Sequence, residues 1–161
     1  AKMAMELLRL TNALVGVAVP VLQAVGTTAN PRVVCLTLLF VDRLFAWLER
    51  PEFAPYRGYL LGNVLRVVSM ACYSLLSTSP LAQDQQVCSA LSKLWLSMHR
   101  LMPMEMKASL AECAPEFGVS KQELELLAQQ LEDPLVSEDG FAEALRDTAS
   151  SWQVEHLKRA L

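Results

Sequence analysis

Apolar positions gather into helix-length runs separated by proline-marked joints, and the densest of these runs lie between Asn30 and Ser77. Asn30 can accept from the first free amides as an N-cap, and Pro31 loses no hydrogen bond at the first helical position, so a helix is predicted to start there. From Val33 to Leu48 the sequence reads Val-Val-Cys-Leu-Thr-Leu-Leu-Phe-Val-Asp-Arg-Leu-Phe-Ala-Trp-Leu, with apolar side chains pointing in nearly every direction. Such a helix has to be wrapped by others. After a turn at Glu49-Arg50-Pro51-Glu52-Phe53-Ala54-Pro55, a second run from Tyr59 to Leu76 leaves only a thin polar seam at Asn63, Arg66, Ser69 and Tyr73. Spacings of three or four residues place that seam on one helical face. The two runs are expected to form a hairpin that the rest of the chain covers.

The remaining elements follow from the same signals. Met3 to Val25 reads as a helix bent near Gly16 by Pro20 and stopped by Gly26. Ser79-Pro80 repeats the cap-plus-proline opening and predicts a fourth helix over Leu81 to Leu101. There Val87, Leu91, Leu94, Trp95, Met98 and Leu101 form one stripe opposite Gln86, Lys93, Ser97 and Arg100, the pattern of a half-exposed outer helix. Past Pro103 the helices become short, acidic and explicitly capped. Met104 to Cys113 is the first, and Ser120 with Glu123 forms a capping box for a helix that turns Leu124, Leu127, Ala128 and Leu131 inward. Ser137 opens a helix to about Asp147, and Ser150-Ser151 opens a last one carrying Val154, Leu157 and Leu161. The expected fold is all-α, about eight helices in an antiparallel stack or bundle. It forms a single domain over residues 1–161, with long apolar helices in 1–102 and short acidic ones in 103–161.

Composition sharpens this picture. Apolar residues make up 53% of the 161 and charged residues 19%, against about 45–50% and 25% in an average globular chain. The excess implies either a generous core or apolar surface that meets a partner. Cys35, Cys72 and Cys88 sit inside apolar runs, where cysteine behaves as a small hydrophobe, and Cys113 has no C-x-x-C neighbour. Neither a zinc site nor a disulfide framework is indicated, which fits a reduced, intracellular protein of the cytoplasm or nucleus. Leu10 to Val25 and Val33 to Leu48 are each sixteen residues, short of the roughly 18–20 that a membrane span needs. The opening Ala-Lys-Met lacks an initiator methionine and reads as part of a longer protein. Charge is unevenly placed: residues 1–103 hold nine Lys/Arg and five Asp/Glu, net +4, whereas residues 104–161 hold five and twelve, net −7. The two parts attract each other or attract opposite partners.

Catalytic and metal chemistry finds little support. There is no G-x-x-x-x-G-K-S/T phosphate loop, G-x-S-x-G elbow or H-E-x-x-H helix, and His99 and His156 each sit on a polar helical stretch. Glu138-Asp139-Gly140 fails as a calcium loop, because with Gly140 at the sixth position Leu135 and Arg146 fall where acidic ligands are required. No cofactor and no metal are expected. The basic residues of the first part are mostly arginine. Arg43, Trp47 and Arg50 recur at helical spacing, and Arg57 begins the next helix. Planar guanidiniums beside an indole are the composition enriched at interface hot spots. Alternatively, Trp47 is core and the arginines pair locally with Asp42, Glu49 and Glu52. Nucleic acid is disfavoured by a sequence pI of about 5.4 and by acidic exposed positions such as Glu123, Glu125 and Glu143. Met98, Met102 and Met106 cluster at the corner after the fourth helix, and flexible thioethers suit either a partner's helix or an irregular core.

Long helices with proline-marked starts at Asn30-Pro31 and Ser79-Pro80, covered by shorter capped ones, resemble a fragment of an armadillo- or HEAT-type solenoid over residues 1–103. That resemblance implies a scaffold that binds peptides or helices of other proteins along a groove. The function expected is therefore a non-catalytic interaction module of a larger intracellular scaffold. Its docking residues would be Arg43, Trp47, Arg50, Arg57, Met98, Met102 and Met106. The alternative is a helical ligand-binding or enzymatic domain with a pocket between the first four helices, lined by Asn63, Arg66 and Tyr73.

Overall fold

The computed structural model describes residues 2–13, 16, 20 and 30–161, and every regular element among them is helical. In chain order these are α1 (Lys2–Ala13), α2 (Pro31–Leu48), α3 (Arg57–Thr78), α4 (Gln85–Leu101), α5 (Pro103–Cys113), α6 (Lys121–Glu132) and α7 (Glu138–Ala160). Short 3-10 turns over Pro51–Tyr56, Pro80–Gln83 and Ala114–Phe117 make three of the joints. The expected bend near Gly16 and stop at Gly26 belong to residues 14–29, which lie outside the described residues except for positions 16 and 20. No helix among the described residues is long and apolar enough to cross a membrane.

Capping explains where most helices begin. Asn30 accepts from the Arg32 N–H at 3.0 Å, and Ser137 accepts from the Gly140 N–H at 3.0 Å. Ser120 and Glu123 satisfy each other's backbone amides as a capping box, and each such cap contributes about 1 kcal/mol. Two joints depart from expectation. Ser79 caps only a 3-10 turn, and α4 starts later, where the Asp84 carboxylate accepts from the Gln86 and Val87 amides at 2.9 and 3.1 Å. The predicted break at Ser150-Ser151 does not occur. The Ser150 hydroxyl lies 2.9 Å from Gln83 Oε1 and 3.2 Å from the Arg146 carbonyl, so it bonds sideways and back along the helix instead of capping forward amides. The last two expected helices are therefore one, and the described residues hold seven α-helices.

The packing centre also differs from the expected hairpin. α2 lies chiefly on α4, and α4 also carries α7 and α5, while α3 packs against α5 and α7. Cys35 sits near Ser89 at the start of α4 and Glu49 pairs with Arg100 at its end, so α2 and α4 run parallel. Val87, Leu91, Leu94, Trp95 and Met98 are fully enclosed, and Cys88, Ala90, Ser92 and Ser97 are buried. The helix expected to be half wet is thus covered on three sides, because small residues on its second face let neighbouring helices approach closely. The helices give no sign of an armadillo or HEAT repeat among the described residues.

An aromatic cluster fills the middle. The Tyr73 ring lies 6.1 Å from Trp95, 5.8 Å from Phe117 and 5.7 Å from Trp152, and Trp95 lies 6.3 Å from Phe141. Such pairs contribute about 0.5–1.5 kcal/mol each beyond the area they bury. The Tyr73 hydroxyl donates to the Leu110 carbonyl of α5 at 3.2 Å, and burial pushes its pKa up. At the end of α3, Gln153 Nε2 of α7 donates to the Leu76 and Ser79 carbonyls at 3.1 and 2.8 Å. The Leu76 carbonyl is one of the last acceptors of α3, whereas the Ser79 carbonyl also accepts from the Ala82 N–H at 3.2 Å.

Candidate interaction surface

α2 has two apolar sides, only one of which is covered. Val34, Leu38, Val41, Phe45 and Leu48 are buried, together with Asp42. On the other side Val33, Leu36, Phe40, Arg43, Trp47 and Arg50 follow one another at steps of three or four residues and form one exposed row. Leu36 is 59% exposed, Phe40 44% and Trp47 45%. The expectation that this helix would be wrapped all round is corrected. One face enters the core against α4, and the other presents large apolar side chains where an outer helix normally carries polar ones.

The charges along the row are specific. The Arg50 guanidinium carbon lies 5.5 Å above the Trp47 ring, and its Nε lies 3.9 Å from the Glu52 carboxylate. Both partners of that ion pair are half exposed, so it contributes little. Arg43 and Arg32 make no ion pair among the described residues. Asp42 turns inward, and Glu49 reaches across to Arg100 of α4 at 2.9 Å. Of the three local carboxylates considered for these arginines, only Glu52 meets one.

The other expected docking residues lie elsewhere. Arg57 donates from Nε to the Leu48 carbonyl at 2.6 Å and from Nη2 to the Arg50 carbonyl at 2.9 Å. It locks the end of α2 and is committed to that task. Met98, Met102 and Met106 are buried, which corrects their reading as a partner groove. Their flexible side chains fill the junction of α4 and α5, and of the methionines at that corner only Met104 is exposed. Leu36 and Phe40 belong to the surface but were missing from the expected set. Within a run of uniformly apolar residues, nothing marks which ones face outward.

The expected polar lining of a pocket does not converge on one cavity. Tyr73 is enclosed in the aromatic cluster, and Arg66 points outward to Glu112 at 3.4 Å. The Asn63 side chain lies outside the described residues. A polar cleft of about 400 Å³ opens between α4 and α7, where Cys88, Asp139, Glu143 and Arg146 meet. The Cys88 thiol donates to the Ala82 carbonyl at 2.8 Å. Its pKa is pushed up to about 11, mainly by burial, with Arg146 working the other way. It is a protonated structural thiol at neutral pH and a poor nucleophile. Burial likewise pushes Cys72 up to about 12, although the Trp95 N–H beside it pulls the other way. Among the described residues no group of three His, Cys, Asp or Glu side chains could hold a metal.

No family model, curated protein or solved structure matches this chain.

Proposed function

We propose that this chain is a non-catalytic protein–protein interaction module of a larger intracellular scaffold, docking an amphipathic helix or acidic peptide of a partner protein on the outer face of α2. The observation that carries this reading is the half-exposed row Leu36, Phe40 and Trp47, flanked by Arg43 and Arg50. Covering each of those three side chains contributes on the order of 1 kcal/mol, and carboxylates on the partner can fork onto the guanidiniums. Apolar anchors would supply most of the affinity, and the arginines would set register and encounter rate. An armadillo- or HEAT-like scaffold is one setting for such a face, and the reading rests on the row itself.

The test replaces Phe40 with a photoreactive phenylalanine analogue and, as a control, replaces Gln129 of α6. Irradiation in cell extract followed by peptide mapping should give an adduct from position 40 on an apolar segment bearing acidic residues. That adduct should disappear when Arg43→Glu and Arg50→Glu are added. Equal labelling from both positions, or adducts indifferent to the arginines, would remove the proposal.

A further inference from the structure

The chain carries a second unpartnered feature whose character is the reverse of the α2 row. Between α6 and α7 runs a groove of about 300 Å³ with Leu127 and Trp152 at its base and Glu123, Leu126, Asp147 and Ser151 along its rim. Leu127 and Trp152 belong to the core, whereas Leu126 is 61% exposed. Asp147 makes no ion pair among the described residues. One Glu123 oxygen holds the Ser120 N–H at 2.8 Å. The surrounding sequence, residues 104–161, carries the net −7, and the part that contains α2 carries the net +4.

The row on α2 places apolar knobs between guanidiniums, and the groove places an apolar floor between carboxylates. Within one molecule α2 rests on α4, whereas α6 rests on α5 and forms the groove with α7. We infer that the groove between α6 and α7 of one copy receives the arginine-flanked outer face of α2 of a second copy. This rests on the reading of α2 as a docking face and names its occupant. The two surfaces differ, so the contact is head to tail, and each added copy leaves one free face of each kind. Such a contact gives a ring where the rotation closes and an open array where it does not. Opposite charges at an exposed rim also make the association sensitive to salt, because the screening length is only about 8 Å at physiological ionic strength.

Sedimentation velocity of the protein alone tests this. At about 0.05 M salt the weight-average mass should climb with concentration past that of a dimer, and raising the salt tenfold should lower it. Two double variants each remove one face: Arg43→Glu with Arg50→Glu, and Leu126→Ser with Asp147→Asn, the second pair leaving no charge that could attract the first. Each alone should require at least about tenfold more protein for half assembly, equivalent to about 1.4 kcal/mol. Mixed one to one, they should form a dimer and nothing larger, since each retains one working face. A wild-type chain that stays monomeric up to hundreds of micromolar, assembly unchanged by either variant, or a mixture without dimer would overturn the inference. A monomeric wild type would leave photoadducts from position 40 to another protein intact, so the docking role of α2 fails separately.

Discussion

Arg50 lies over the indole of Trp47 with its guanidinium carbon 5.5 Å from the ring centroid, at the point where α2 ends. A cation over an exposed ring contributes about 0.5–1 kcal/mol, so the pair is a small part of what holds the helix. It does, however, set an aromatic anchor and a charge side by side on the surface. Replacing Arg43 and Arg50 with glutamate should shift Tm by no more than a few degrees while abolishing capture of the partner. Calorimetry alongside a pull-down checks this, and a collapse of both would mean that the arginines hold the fold.

Gln153 joins α7 to the end of α3 through two carbonyls. Gln153→Ala removes both donors and should lower stability by about 1–2 kcal/mol. Gln153→Glu should cost more, because a carboxylate would face the two acceptors it replaces a donor for. Urea denaturation of the two variants orders these effects, and a glutamate variant as stable as wild type would contradict the geometry.

Gly118 ends the 3-10 turn after α5 with φ of 69°, where an L side chain costs roughly 1–2 kcal/mol. A Cβ there would also meet the Arg159 guanidinium. Gly118→Ala should therefore destabilise by about that amount. Adding Arg159→Ala should recover little, since the exposed end of that side chain can move aside. Full recovery in the double variant would place the cost in the contact and not in the backbone.

The raised thiols make stability depend on alkaline pH in a definite direction. An unfolded cysteine ionises at about 8.5, whereas folded Cys88 and Cys72 hold their protons to about 11 and about 12. Between these limits the folded chain binds more protons than the unfolded one. Their contribution is fully present below about pH 8.5 and is lost as pH rises, by about 1.4 kcal/mol per pH unit for each thiol. Melting curves from pH 8 upward should show this decline, and Cys72→Ser should flatten it whatever its effect on the starting Tm. An unchanged slope in the serine variant would argue against the shift.

Much of the helical order is readable from local chemistry, because caps act within four residues. Asn30, Ser137 and the Ser120–Glu123 box all do what their spacing suggests. Ser150 does not, because its choice between capping and back-bonding is bound up with Gln83 on a distant turn. The enclosure of α4 was hidden for a related reason: Ser97 reads as a wet position yet is buried, and Ser92, also buried, donates to the Glu138 carbonyl of α7 at 2.9 Å. Met98, Met102 and Met106 have a composition that fits a core or a groove equally well, and only their burial separates the two. On α2, the arginines and Trp47 at helical spacing were the one legible sign of an outer face. The apolar residues beside them carried none.

The covering of α2's outer face by another protein is tested most directly at Trp47. Three tryptophans occur in the chain, and Trp95 and Trp152 are buried whereas Trp47 is 45% exposed. With 5-fluorotryptophan incorporated, the Trp47 fluorine resonance of the free protein should shift between H₂O and D₂O, and the other two should not. In the complex with the photocaptured partner that solvent shift should vanish for Trp47 while Trp95 and Trp152 stay where they are. A Trp47 resonance that keeps its full solvent shift in the complex would show that the face remains open to water and that the partner binds elsewhere.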